Sequence, residues 1–282
     1  MQIIITRLAV IALVNLWLAG GLFRQTIQPA LFAEEPGVRG ASPTGGKALA
    51  SAAASTKDVM ESLAEQFAKK SKHTIKINPG SSNSLAGQIV AGAPADLFLS
   101  ANEEWAEKVK EAKISSEQVK LLTNKLVLIV PKGNPAGLKV PKDLNKAAVK
   151  RIALAGEKVP AGKYADQALT KLGLLDGLTK AKKIAHGQDV RTALAYVERG
   201  EAEAGIVYST DFLAAKNVEM VHEFDPALHD EIVYILVLLK HGKDNSAAKG
   251  FFEFLKSDEA NETYKKFGFE RLSGTPEDTE KK

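Results

Sequence analysis

Four short stretches carry the residue types and spacing that could do chemistry: AAASTKD (52–58) with Ser55, GSSNSLA (80–86) with Ser82, VPAG (159–162) with Ala161, and QDVR (188–191) with Val190. In each, a short apolar run gives way to helical spacing, often through a small hydroxyl or amide residue. A helix start leaves backbone N–H groups without intrahelical partners and carries partial positive charge. Four such starts brought together would surround an anion. Taken singly, a serine before a helix is an N-cap contributing about 1 kcal/mol, and Ser55 to Asp58 has capping-box spacing. Tyr208 ends the run AGIVY (204–208) and admits two readings, a core aromatic with a satisfied hydroxyl or a donor at a cleft rim.

Other chemistries find little support. GASPTGGK (40–47) misses the phosphate-cradling G-x-x-x-x-G-K-[ST] pattern by one residue and is followed by Ala48. Neither G-x-G-x-x-G nor G-x-S-x-G occurs. The five histidines, at 73, 186, 222, 229 and 241, never fall at H-x-x-x-H spacing, so a helical zinc site is unsupported. No nucleophile is matched with a base and an orienting partner, and the chain reads as a non-enzyme without a cofactor.

The elements that must position these residues follow from the pattern. Apolar or β-branched runs predict strands over 48–54, 74–78, 96–100, 125–130, 151–155, 204–208, 219–224 and 231–239. Helical periodicity predicts helices over 57–70, 84–91, 103–112, 161–172, 190–199, 247–255 and 259–267. In the first helix Val59, Met60, Leu63, Ala64 and Phe67 mark one buried face, and Lys57, Glu61, Glu65 and Lys69 the other. Alternating strands and helices predict parallel sheets covered on both faces. The strands over 125–130 and 231–239 bracket a middle segment with its own strand and helix set. The fold class is therefore α/β, two interleaved three-layer lobes joined by two crossing strands, with a cleft between them where open α/β sheets bind ligands.

The 282 residues suffice for about two modest domains. The 38 basic and 34 acidic side chains are interspersed, so the +4 charge makes no basic stripe and points to no nucleic acid. With no cysteine, the chain holds no disulfide, thiolate or lipidated anchor. The N-terminus reads as an address: Arg7 precedes the apolar run over 8–18, which Gly20, Gly21 and Arg24 end short of a membrane span. A signal peptide over 1–33, cleaved after Ala33, predicts a periplasmic protein; its loss removes Arg7 and Arg24 and no acid, taking the charge from +4 to +2. An uncleaved anchor is the rival reading. Residues 34–46 have tether composition, 47–126 with 233–272 form lobe I, 127–232 form lobe II, and 273–282 is a polar tail.

The runs AAAS (52–55), GSSNSLAGQIVAGAPADLFLSA (80–101), VPAGKYA (159–165), DVRTALAYVERGEAEAGIVY (189–208) and KKFGF (265–269) resemble the periplasmic molybdate-binding proteins of bacterial ABC importers over about residues 47–270. The resemblance implies a type II periplasmic binding protein fold that closes on molybdate or tungstate and hands it to a membrane permease, as a monomer. It also implies that Ser55 and Ser82 donate hydroxyl and backbone N–H, Ala161 and Val190 backbone N–H, and Tyr208 its phenol. These contact the oxyanion's oxygens without ligating the metal. Thr56, in place of a hydrophobic residue, and Asn83, in place of a small hydroxyl residue, depart from the family pattern.

Molybdate, tungstate and sulfate are fully ionised near neutral pH and only accept hydrogen bonds, so a pocket of neutral donors suits them. Hydrogen phosphate keeps a proton and favours an acceptor in the site. Asp189 is the one acid beside a proposed contact; as an N-cap it leaves phosphate disfavoured, and facing the ligand it would reverse that ranking. Lys57, Lys163 and Arg191 are expected to raise the local potential more than to touch the ion. A sulfate receptor, a hydrolase or transferase on the same fold, and an oxyanion-sensing ectodomain on an uncleaved anchor are the alternatives.

Overall fold

A computed structural model of the protein describes residues 45–272. The signal-peptide reading over 1–33, the tether up to residue 44 and the polar tail over 273–282 lie outside the described residues.

Two sheets organise these residues. The six-stranded sheet has the order β11-β4-β10-β3-β1-β2, built from β1 (Lys47–Ala53), β2 (Thr74–Gly80), β3 (Leu97–Ser100), β4 (Ser115–Thr123), β10 (Val233–Leu239) and β11 (Glu270–Arg271). The five-stranded sheet has the order β7-β6-β8-β5-β9, from β5 (Leu126–Pro131), β6 (Ile152–Ala155), β7 (Ile184–Gly187), β8 (Ala204–Tyr208) and β9 (Val218–Glu223). We call the elements on these sheets the first and second lobes. The chain passes to the second sheet between Thr123 and Leu126 and returns between Glu223 and Val233. The strands read as crossings thus each follow a crossing and lie wholly in one sheet.

The parallel sheets expected from alternation are mixed instead. β1 pairs parallel with β2 and β3, and β6 parallel with β7 and β8. β10 and β5, the strands entered from the opposite lobe, run antiparallel to both neighbours. A chain arriving from the far side without a covering helix enters with reversed direction, and antiparallel pairing accommodates it.

Helices cover both faces. α1 (Lys57–Ser71) buries Val59, Met60, Leu63, Ala64 and Phe67, the face its periodicity marks, and ends at Lys72 with φ 59°. α8 (Ser246–Leu255) and α9 (Asp258–Lys266) share that side, with Phe251 packed 5.4 Å from Phe67. On the opposite face α2 (Ser82–Val90) and α3 (Glu103–Glu111) bring Leu85, Ile89, Trp105 and Val109 against Phe98 and Val237. In the fully buried β10, Tyr234, Leu236 and Leu238 belong to the core beneath α1, while Val233, Ile235, Val237 and Leu239 face α2 and α3. That two-residue alternation aims Tyr234 toward the α1 side.

The second lobe adds α4 (Pro160–Lys171), α5 (Leu175–Lys180), α6 (Val190–Glu198) and α7 (Ser209–Ala214). β4, β7, β11, α5 and α7 are elements that periodicity does not predict. β4 carries no apolar run because only Leu121 and Leu122 of its residues are buried, and the rest have 6 residues or fewer, too short for a period. Two glycines seat the helix starts of this lobe. A Cβ on Gly162 would lie 2.3 Å from the Gly156 carbonyl oxygen, and one on Gly187 2.8 Å from the Ala193 nitrogen.

Candidate functional site

Ser55, Ser82, Ala161, Val190 and Tyr208 line one cavity between the lobes. Ser55 lies in a buried 3-10 turn, Ala54–Thr56, that joins β1 to α1. Ser82 and Val190 are the first residues of α2 and α6, and Ala161 is the second of α4, behind Pro160. In these first turns the backbone N–H groups have no intrahelical carbonyl to meet. Tyr208 ends β8, pairing with Leu126 where the chain enters the second sheet. The cavity is small and bounded by both lobes.

The hydroxyls divide by their partners. The capping box expected over Ser55 to Asp58 does not form, since the N-cap of α1 is Thr56, without a side-chain cap bond. Ser55 Oγ instead lies 3.0 Å from the Tyr234 hydroxyl, because the 3-10 turn carries the serine past the capping position. Ser82 Oγ accepts the Ala101 N–H at 3.0 Å rather than capping α2, whose N-cap is Ser81. Tyr208 OH is buried and without a hydrogen-bond partner among the described residues. A buried orphan hydroxyl is costly unless something in the cavity accepts from it. Burial, then the neighbouring Tyr234, Tyr164 and Asp211, push its phenol well above the ordinary value, so it remains a donor. Asp189 caps α6, its Oδ1 accepting the Thr192 N–H at 2.8 Å and the Thr192 hydroxyl at 2.9 Å. Although Asp189 also borders the cavity, that carboxylate oxygen is already engaged.

The nearby cations are engaged too. Arg191 extends from α6 across the cleft, with NH2 2.7 Å from Asp58 Oδ2 and donating to the Ser55 carbonyl at 3.3 Å, while its Nε is 2.6 Å from Asp211 Oδ1. Burial works against the Arg191 charge, but Asp211 and Asp58 more than offset it and raise its pKa. Asp211 is fully buried, and burial pushes its carboxyl up to about 6 although Arg191 pulls the other way. Its Oδ2 accepts the Tyr208 N–H at 3.3 Å. Lys163 pairs with Glu104 of the first lobe, and Lys57 is exposed. Together with Trp105 Nε1 donating to the Lys158 carbonyl at 3.2 Å, these contacts bridge the two lobes. The positive charge expected to raise the local potential is therefore largely matched by carboxylates.

Spacing does not reveal Tyr234, Asn124, Asp211 or the bridging role of Arg191. Asn124 stands at the first crossing. Its Oδ1 accepts from the Lys125 N–H and the Ser209 hydroxyl, both at 2.9 Å, and its Nδ2 donates to Thr210 Oγ1 at 2.8 Å and to the Tyr234 hydroxyl at 3.2 Å.

The family model for bacterial extracellular solute-binding proteins matches residues 49–270. The putative ABC transporter substrate-binding lipoprotein YvgL of Bacillus subtilis (strain 168) is 43% identical over 223 residues, 78% of this chain and 84% of the relative. The molybdate-binding protein ModA of Escherichia coli (strain K12) is 39% identical over 231 residues, 79% of this chain and 89% of the relative. Among solved structures, the periplasmic molybdate-binding protein of Azotobacter vinelandii superposes with a TM-score of 0.72 at 28% identity, covering 81% of this chain and 100% of that one.

Proposed function

Because this chain belongs to the bacterial extracellular solute-binding proteins, we propose that it captures molybdate, and its near-isostere tungstate, between its lobes and delivers it to an ABC importer. In this reading Ser55 and Ser82 donate hydroxyl and backbone N–H, Ala161 and Val190 backbone N–H, and Tyr208 its phenol. The protein is a binding protein rather than an enzyme, needs no cofactor, and acts as a monomer that meets a membrane permease and no nucleic acid. Residues 1–33 direct it to the periplasm and are removed.

The observation that carries the reading is the buried Tyr208 hydroxyl, without a hydrogen-bond partner among the described residues, on a cavity also lined by three serines, Asp189 and the starts of α2, α4 and α6. Every donor is neutral, and Arg191 is held by Asp58 and Asp211 rather than left to a ligand. A fully ionised oxyanion accepts from all of them and asks for no acceptor. Hydrogen bonds to a charged partner contribute about 1.5–3 kcal/mol each, so a handful sustain tight binding without a buried counter-ion and its desolvation cost.

Thermal melts with molybdate, tungstate, sulfate and phosphate test it. A ligand at about 100 times its dissociation constant stabilises the folded state by about 2.7 kcal/mol. Molybdate and tungstate are expected to raise the melting temperature at micromolar concentration, with sulfate weaker and phosphate inert. Equal shifts for all four, or none, would reject the assignment.

A further inference from the structure

Ser55 and Ser82, two of the three serines that line the cavity, have their oxygens occupied in different ways. At Ser82 the partner is the Ala101 backbone N–H, which can only donate, so the serine hydrogen is left for the cavity. At Ser55 the partner is the Tyr234 hydroxyl, a group that donates or accepts, and the direction is set one step further back. The Asn124 amide is oriented without ambiguity, because the Lys125 N–H requires an acceptor and therefore faces Oδ1. Nδ2 then faces Tyr234 and donates to its oxygen. A phenol that accepts from an amide has its own hydrogen free, and Ser55 Oγ, 3.0 Å away, is placed to receive it. Ser55 in turn keeps its own hydrogen for the cavity.

We propose that Asn124 and Tyr234 are positioning residues that fix the Ser55 hydroxyl as a donor toward the cavity, so that Ser55 and Ser82 both direct their hydrogens at an anion. This rests on the oxyanion reading above and extends it to specificity. A protonated anion such as hydrogen phosphate needs an acceptor, and each of these serine oxygens already accepts one protein hydrogen bond, while Asp189 Oδ1 at the cavity edge is engaged by Thr192. The relay begins at Asn124 in the crossing between the lobes and also engages Ser209 and Thr210 of the second lobe, so the donor direction is tied to the hinge. Burial raises the Tyr234 phenol above its ordinary pKa and keeps the proton in the relay.

Calorimetric titration of wild type, Ser55→Ala, Tyr234→Phe, the double variant and Asn124→Asp, with molybdate and with hydrogen phosphate at pH 7.5, tests this. Tyr234→Phe frees the Ser55 hydroxyl to rotate and is expected to weaken molybdate about tenfold while narrowing its advantage over hydrogen phosphate. In the Ser55→Ala background the same change is expected to do nothing further. Asn124→Asp reverses the relay: the phenol donates to the carboxylate, Ser55 donates to the phenol, and a lone pair faces the anion. It is expected to weaken molybdate more than Ser55→Ala does. If Tyr234→Phe weakens molybdate equally with and without the Ser55 hydroxyl, or if Asn124→Asp binds like wild type, the positioning role is wrong while the oxyanion reading stands. If Ser55→Ala itself leaves molybdate affinity unchanged, the placement of the anion at Ser55 falls first. Melting curves of each variant establish that it is folded, and Asn124, only half-buried, provides the test should Tyr234→Phe fail to fold.

Discussion

On the first lobe, two of the three serines lining the cavity, Ser82 and Ser55, have oxygens already held by protein donors, Ala101 N–H and the Tyr234 hydroxyl. The second lobe contributes backbone at the starts of α4 and α6, the Asp189 cap, and a single phenol, Tyr208, that has no partner among the described residues. One half has its hydroxyl directions set before a ligand arrives; the other has helix starts placed by close backbone approach and one hydroxyl left unsatisfied. The difference assigns distinct vulnerabilities. Side-chain donors are removed by single substitutions, whereas backbone donors fail only when the helix that carries them is displaced.

The largest effect is expected from such a displacement. Gly162→Ala places a Cβ 2.3 Å from the Gly156 oxygen and 2.5 Å from the Ala155 oxygen, so the start of α4, with Ala161, must move. Overpacking of this kind costs about 1–3 kcal/mol of stability. With one donor misplaced and closure impaired, affinity for molybdate should fall by about a hundredfold, or roughly 2.7 kcal/mol. Calorimetry and a thermal melt measure both, and wild-type affinity would show that α4 does not hold the ligand.

The serines come next and distinguish the halves internally. Ser55→Ala and Ser82→Ala should each weaken molybdate by about 2 kcal/mol. Ser82→Ala also strands the buried Ala101 N–H, adding about 1–3 kcal/mol of lost stability without ligand. Tyr208→Phe should behave in the opposite sense: affinity falls about tenfold, yet the ligand-free protein melts no lower, because the hydroxyl removed had no partner to lose. A drop in ligand-free stability for Tyr208→Phe would show that the phenol is satisfied by the protein and would remove it from the site.

The same contrast decides what was legible in the sequence. Helix starts at Ser55, Ser82, Ala161 and Val190 announce themselves locally, through small residues, a proline and a change of period within a few positions. The long helices and buried strands are equally local, and β4 is hidden because its exposed residues carry no apolar pattern. The relay behind Ser55 is not local. Tyr234 lies 179 residues from Ser55 and 110 from Asn124, and in a strand read as continuously apolar its hydroxyl looks like one more core residue. Arg191 misleads for the same reason: as a cation beside a proposed contact it suggests an attractive field, and only the fold brings Asp58 and Asp211 to it. The capping-box spacing at Ser55 is a local signal overridden by the 3-10 turn, which the sequence does not distinguish from the first turn of an α-helix.

The smallest effect separates the halves by pH. Asp211 belongs to the second lobe and holds both the Tyr208 N–H and Arg191, and its carboxyl is pushed by burial up to about 6 from 3.8. A folded-state pKa raised above the unfolded value means that the folded protein takes up a proton first as pH falls. The contribution of this group to stability therefore increases as pH drops from 7 through about 6 toward 3.8 and is constant below. Asp211→Asn, neutral at every pH, should flatten that part of the profile in urea titrations of the ligand-free protein. Protonation also weakens the hold on Arg191 within the second lobe, leaving the Ser55 carbonyl and Asp58, which is 40% exposed and contributes about 1 kcal/mol at most, as its partners across the cleft, so the reach of Arg191 to the first lobe should loosen over the same window. Ser55 and Ser82 have no partner in their hydrogen bonds that titrates in this range, since burial raises the Tyr234 phenol above its ordinary value. A pH slope that survives in Asp211→Asn would place the titrating group elsewhere and leave the two halves alike in this respect.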